Sequence, residues 1–426
     1  MDLSNFGRRF SGKIGIGELM DDLGNALAGD KPMLMLGGGN PGHIPLVQEL
    51  FRQRMAHILQ EPGEFERVIG DYDTPQGAGA FLAALAELFN REFGWDIGPQ
   101  NIALTNGSQN SFFFLFNIFA GRFGDKQKKR ILLPLAPEYI GYVDVGLEDD
   151  FFRASRPEIT RLEEHIFKYH VDLERVAVTD DIGAICVSRP TNPTGNVVTD
   201  DEVAALRRLA AEGGVPLIID NAYGTPFPNI IFEDVQPAWD ANTVVCMSLS
   251  KFGLPALRTG IVVANEEIIR TISRMTAVFS LAPGSMGAAL ALDLVRSGEI
   301  TRISRDIIRP FYQKKAQRAV AQLKAEVEGL PIAVHKPEGA LFLWLWFEGL
   351  PITSAELYQR LKARGVLVVP GHYFFPGLDN DDWRHRQECI RVTYAQDDAV
   401  VEKGLAIIAD EVRNIYAVEG RTGVLL

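Results

Sequence analysis

Four groups of residues in this chain of 426 have types and spacing suited to chemistry at a carbonyl carbon: Asn192-Pro193-Thr194-Gly195, Asp220 with Tyr223, Ser248-Leu249-Ser250-Lys251, and Arg258. A lysine delivered to the end of a strand forms a Schiff base with an aldehyde. An aspartate at the end of the preceding strand holds a pyridine nitrogen protonated, and an arginine takes a phosphate. The combination matches what pyridoxal phosphate requires, which points to an enzyme of amino-acid chemistry.

These residues need a frame. Short apolar runs at Asn101 to Thr105, Arg130 to Leu135, Ala184 to Ser188, Val215 to Asp220 and Thr243 to Ser248 predict strands, nearly all apolar as in a sheet covered on both faces. Helical patterns lie between them: Ser108 to Phe119 follows a glycine, and Asp200 to Ala211 follows Thr199, a residue suited to an N-cap. The fold class expected is α/β. In an open α/β sheet ligands gather at the carboxyl ends of the strands, where all four groups fall. After about residue 305 the pattern changes to a long charged helix from Ile307 to Glu328, a run from Gly339 to Phe347, a helix from Ser354 to Arg364, the run Val366 to Pro370 and a last helix from Asp398. The organisation expected is an N-terminal segment (1–45) docked on a small α+β C-terminal domain (306–426), with a large cofactor-binding domain (46–305) between them.

Each group has an ordinary alternative. Ser-Leu-Ser-Lys alone is more often a surface loop. Here the apolar strand Val244 to Met247 brings Lys251 to a strand end, where burial and a nearby positive charge lower its pKa toward the free amine. Asp220 is either a turn or cap residue or a carboxylate facing a ring nitrogen, with Tyr223 donating to the ring's phenolic oxygen. Asn192-Pro193-Thr194-Gly195 is either a tight turn or the carrier of an amide that meets cofactor and substrate carboxylate. Thr105-Asn106-Gly107-Ser108-Gln109 is a strand-to-helix turn whose free N–H groups suit a phosphate. Gly37-Gly38-Gly39-Asn40-Pro41 lacks the glycine spacing and immediate helix of a dinucleotide site, and suits close backbone approach to a substrate carboxylate. Arg391, flanked by apolar residues, is either half of a structural ion pair or a bidentate carboxylate clamp.

A formal net charge of −12 argues against nucleic acid or anionic membrane as partner, since both select clustered positive charge. The densest basic run, Lys126, Lys128, Lys129 and Arg130, reads as a solvated loop. Met1 to Phe10 carries charges and no long apolar core, and the longest apolar run, Phe112 to Ala120, falls far short of the roughly 20 residues that cross a bilayer. A cytoplasmic location is expected. Cys186, Cys246 and Cys389 are widely spaced, as reduced buried thiols are. The histidines show no metal-ligand spacing, so no metal is expected.

From Gly37 to its last helix the chain resembles the class I aminotransferases of fold type I. The stretches that carry this are Ile102 to Gln109, Leu133 to Tyr142, Val187 to Gly195, Pro216 to Pro228 and His335 to Trp346. The resemblance implies pyridoxal 5'-phosphate as cofactor and Lys251 as the residue that binds it covalently and shuttles the proton. Asp220 becomes the pyridinium partner, and Tyr223 and Asn192 the ligands of the ring oxygen. Gly107, Ser108 and Gln109, with Ser248, Ser250 and Arg258, form the phosphate cup. Tyr139 stacks on the ring, and Arg391 with Gly39 and Asn192 holds the substrate. Tyr72 reaches the phosphate of a neighbouring subunit, so a homodimer is implied.

Two departures stand out: Arg258 follows Lys251 by seven residues where many relatives have eight, and Phe279 to Leu294 lacks the second arginine of aspartate-specific relatives. A side-chain carboxylate would enter such a pocket unpaired. Ping-pong exchange between valine and pyruvate, giving alanine and 2-oxoisovalerate, is therefore expected, with Ile14, Ile16 and Tyr139 among the residues lining the pocket. The alternatives are a different neutral or aromatic donor, or a lyase or synthase of the same fold.

Overall fold

Apolar runs without alternation need cover on both faces, and in the computed structural model, which describes residues 2–11, 17, 24, 33–124, 127–379 and 381–422, they have it. Eight strands form one sheet: β1 (Ile102–Thr105), β2 (Gly121–Phe123), β3 (Gln127–Leu133), β4 (Phe152–Ala154), β5 (Ile182–Ser188), β6 (Leu217–Asp220), β7 (Thr243–Ser248) and β8 (Gly260–Val263). The order is β1-β8-β7-β6-β5-β3-β2, with β4 also paired to β3. Strands β7, β6, β5 and β3 are parallel, while β8 is antiparallel to both its neighbours and β2 is antiparallel to β3. Every residue of β1, β5, β6, β7 and β8 is buried.

Register places the chemistry. Ser188 pairs with Asp220, Asp220 with Cys246, Ser248 with Gly260, and Gly260 with Thr105. The ends Ser188 and Asp220 are thus level, Ser248 and Thr105 share a level two residues further along, and the turns that leave all four line one cavity. The helix Asp200–Glu212 is started by Thr199, whose Oγ1 accepts from Glu202 N at 3.2 Å while Glu202 Oε2 accepts from Thr199 N at 2.7 Å.

A second sheet of six strands runs in the order Val369–Pro370, Cys389–Thr393, Phe342–Phe347, Ile332–His335, Ile166–His170 and Glu158–Glu163. Its last two strands form a hairpin from the middle of the chain, so this sheet joins segments on both sides of residue 305. Arg391 pairs with Trp344 on one side and Val369 on the other. Leu34–Met35 pairs in parallel with Val366–Leu367, which carries the glycines 37–39 past the same edge. The long helix expected from Ile307 is Arg309–Glu326, entered through a π-turn at Ser304–Ile308. Pro310, which lacks an N–H, stands in its first turn, and the wider turn before it accommodates the missing bond.

On the surface, Arg130 and Lys128 pair with Asp150. The three cysteines are buried and unpaired. Among the described residues no helix is long and apolar enough to cross a membrane, and no cluster of metal-ligating side chains occurs.

Candidate active site

The convergent turns enclose a cavity of about 450 Å³, within the range of small-molecule sites. Asp220 closes β6 at its floor. Its Oδ2 accepts from Tyr142 Oη at 2.6 Å and its Oδ1 from Ala222 N at 3.0 Å. Burial raises its pKa to about 6, against the pull of those two hydrogen bonds and of Lys251.

Lys251 follows β7 and is half-buried in the cavity wall. Its Nζ donates to Gly39 O at 2.6 Å and lies 5.4 Å from the centre of the Tyr223 ring. Burial lowers its pKa to about 8, helped by Arg391 and Arg258 and opposed by Asp220. An amine so placed is free for a useful fraction of the time near neutrality.

Arg391 is 4% exposed. Its Nη1 donates to Asn192 Oδ1 and its Nη2 to Gly37 O, both at 2.7 Å, while Nε is buried without a partner. The guanidinium also lies 4.1 Å from the centre of the Phe342 ring. It has no carboxylate partner among the described residues, so the structural ion pair that the sequence leaves open is absent there. Burial lowers its pKa to about 10.

At the other end of the cavity stands Arg258, in the left-handed region at φ 49°. It too forms no ion pair among the described residues. Gly107 has φ +90°, which favours glycine, and a β carbon there would lie 2.2 Å from Arg258 Nη2 and push that side chain out of its place. The helix Ser108–Phe119 starts there with its N–H groups toward the cavity end. Ser248 Oγ bonds Ser250 Oγ at 2.8 Å, and Gln109 bonds Gly141 O at 2.7 Å while its Oε1 is buried without a partner.

Gly39, Ser108, Gln109, Tyr139, Asn192, Asp220, Tyr223, Ser248, Ser250, Lys251, Arg258 and Arg391 all line this cavity. Gly107 lies beneath Arg258. Tyr72 does not line it and is 83% exposed. Ile14 and Ile16 lie outside the described residues. Three polar residues were not anticipated: Glu138, Tyr142 and Ser188, which are buried around Asp220. The signal for the first two is ionisable side chains within the otherwise apolar segment from Leu133 to Tyr142.

The donor set fits pyridoxal phosphate. Arg258 and the turn at Gly107 face one end as an anion site. Among the described residues Asp220 is the one carboxylate on the cavity wall, and Arg391, which has no carboxylate partner there, offers a second anion site. Lys251 lies between them.

Comparison with known proteins agrees with this geometry. Residues 65–408 match the family model described as aminotransferase class I and II. The chain is 50% identical over 417 residues to the valine–pyruvate aminotransferase of Escherichia coli (strain K12), covering 98% of this chain and 99% of that protein. The crystal structure of the valine–pyruvate aminotransferase of Salmonella typhimurium LT2 superposes with a TM-score of 0.87 at 49% identity, covering 95% of this chain and 100% of that one. A crystal structure of an amino-acid aminotransferase assigned in Psychrobacter arcticum 273-4 gives a TM-score of 0.95 at 50% identity, over 98% and 99% of the two chains. With a family match across most of its length and half of its residues shared with a full-length relative, the chain belongs to the class I and II aminotransferases, with the α/β architecture of fold type I.

Proposed function

We propose that this aminotransferase uses pyridoxal phosphate to exchange an amino group between valine and pyruvate, yielding 2-oxoisovalerate and alanine. The observation that carries it is the pair of guanidinium groups without carboxylate partners, Arg258 and Arg391, at opposite ends of a cavity centred on Lys251. Two anion sites in one cavity suit a cofactor phosphate and a substrate α-carboxylate. When bound, pyridoxal phosphate supplies an aldehyde carbon that accepts the amino group and a protonated ring that withdraws the electron pair left at the α carbon.

The protein's own groups do the rest. Arg258, Ser108, Ser248, Ser250 and the turn at Gly107 hold the phosphate. Asp220 would keep the ring nitrogen protonated, Tyr223 and Asn192 would be the partners of the ring oxygen, and Tyr139 would lie against the ring. Arg391 and Asn192 fix the α-carboxylate, with the backbone of Gly39 beside it. Lys251 Nζ, the one amine on the cavity wall among the described residues, would bind the cofactor and move the proton at the substrate's α carbon. The second half-reaction runs the same steps in reverse on pyruvate. Tyr72, exposed on its own subunit, serves the phosphate of a neighbour in a homodimer.

Specificity rests on charge and size. Among the described residues the cations on the cavity wall are Lys251, Arg258 and Arg391, and all three would be engaged by these roles. A second carboxylate on the donor would be buried unpaired, a penalty of several kcal/mol. Valine and alanine differ by two carbons, which separates them by only about 1–3 kcal/mol per carbon in an apolar pocket. The full-length relatives named for valine and pyruvate support the same pair. Measuring kcat/KM for valine and aspartate, each with pyruvate, tests it. Valine should win, and an aspartate value equal to or above that of valine overturns the assignment.

A further inference from the structure

Beneath the cavity lies a second carboxyl that the mechanism above does not use. Glu138 is completely buried. Its Oε1 accepts from Ser188 N at 2.8 Å, and its Oε2 from Tyr139 N at 3.2 Å and from Ser188 Oγ at 2.5 Å. Ser188 Oγ in turn lies 3.4 Å from Tyr142 Oη, which is 2.6 Å from Asp220 Oδ2. The two carboxyls are therefore the ends of one buried chain, Glu138–Ser188–Tyr142–Asp220.

Counting hydrogens along that chain shows where one more proton would fit. It has three oxygen–oxygen contacts, but the two hydroxyls supply only two hydrogens. If both carboxyls are ionised, Ser188 must point at Glu138 and Tyr142 at Asp220, leaving two hydroxyl oxygens facing each other with nothing between. One added proton lets every member donate in the same direction, from Glu138 toward Asp220 or the reverse, and the charges around the two ends decide which carboxyl holds it. No cation bonds Glu138 among the described residues. The ionisable groups around it are Asp220, Tyr142, Tyr139 and the Cys186 thiol. Lys251 lies nearer the other end, where it favours the charged form of Asp220.

We propose that Glu138 is a positioning residue that holds the single proton of this buried carboxyl pair, so that Asp220 remains the ionised member facing the ring nitrogen. Burial and the charge of Asp220 act in the same sense, raising the Glu138 pKa to about 8. The role assigned to Asp220 rests on the function proposed above, whereas the protonation of Glu138 does not.

Infrared spectra of the full chain and its variants, each recorded with and without pyridoxal phosphate and differenced between parent and variant, separate the two. At pH 7 the carbonyl stretch of an undissociated carboxylic acid should be present in the parent protein in both forms, absent from Glu138→Gln and retained in Asp220→Asn. It should fade as the pH rises through about 8. A band lost in Asp220→Asn but kept in Glu138→Gln overturns the proposal. So does a parent protein with no such band at pH 6, a result that needs no variant to fold. Affinity for the cofactor supplies the functional arm. Glu138→Ala should weaken it by about tenfold or more by leaving Ser188 and Tyr142 unmatched, and Glu138→Gln, neutral and able to donate, should restore most of it. Equal losses in the two variants overturn the positioning role. A failure of pyridoxal phosphate to bind the parent protein would refute the proposed function and leave the infrared result intact.

Discussion

Replacing Arg391 should show what a buried guanidinium without a carboxylate partner is for. Two of its nitrogens hold Asn192 Oδ1 and Gly37 O at 2.7 Å, and Nε holds nothing. A donor α-carboxylate arriving beside it leaves water, and its partner is this one group. In Arg391→Leu that carboxylate is buried unpaired, at about 3–5 kcal/mol, which at about 1.4 kcal/mol per decade is a loss of roughly 150-fold to 5,000-fold in kcat/KM. Arg391→Lys keeps the charge but not the paired donors, so it should lose about 1.5–3 kcal/mol, or roughly 10-fold to 150-fold. Following the alanine half-reaction by cofactor absorbance gives both numbers. Stability should move little. Burial already disfavours the guanidinium, lowering its pKa to about 10, so removing it offsets the loss of its bonds to Asn192 and Gly37. An amine donor with no carboxylate should react about equally with all three proteins. Retention of kcat/KM within threefold by folded Arg391→Leu would refute the clamp, as would an equal loss on the carboxylate-free amine.

Two further expectations concern assembly and pH. Tyr72→Phe and Lys251→Ala should each be impaired, the second nearly inactive, and mixing them should restore part of the activity through heterodimers in which one site has both intact residues. No recovery after verified subunit exchange counts against a shared site. In cofactor-free protein, Glu138 titrates near 8 against 4.5 for its ordinary value, and Asp220 near 6 against 3.8. The folded state then binds more protons than the unfolded one between about pH 4 and 8, so stability falls as pH rises through that window. Glu138→Gln should flatten the fall by up to a few kcal/mol between pH 4.5 and 8, as read from urea midpoints. Parallel curves for parent and variant would show that Glu138 is not the group titrating.

The parts of this fold legible in the sequence share a physical cause. Strands buried on both faces are continuous apolar runs, and the polar residues that break β6 and β7, Asp220 and Ser248, mark where each strand meets the cavity. Thr199 announced its helix because a cap is a local event. The hairpin Glu158–Glu163 with Ile166–His170 was illegible because its outer strand is exposed and carries three charges, so neither a buried run nor a clean alternation marks it. Strand β8, four residues long like β1 and β6, was missed because it opens on Gly260 directly behind the loop that holds Arg258, with no turn signal to separate the two. The candidate site divides in the same way. Lys251, Asp220 and Asn192 stand next to strand ends and are found by position. That Arg391 would reach Gly37, 354 positions away, and that Glu138 would share a hydroxyl with Ser188, 50 positions away, are consequences of sheet order that no local pattern carries.

That order also explains why the site keeps charges that the fold alone does not favour. Lys251 and Arg391 are both pushed toward their neutral forms by burial, and Asp220 toward its acid. Each would be better solvated elsewhere. Under the function proposed above, the strand ends provide a cavity in which ligands would supply the partners: a phosphate for Arg258, a ring nitrogen for Asp220 and a carboxylate for Arg391. Folding leaves these groups destabilised in advance, so binding recovers free energy that side-chain ion pairs would otherwise have taken. Satisfying them internally, with an acid beside Arg391 for example, would make a more stable protein with a weaker hold on its substrate. Glu138 follows the same logic from below. Placed out of the cavity and bonded along a chain of hydroxyls, it takes up the proton that would otherwise neutralise Asp220, leaving that charge for the ligand.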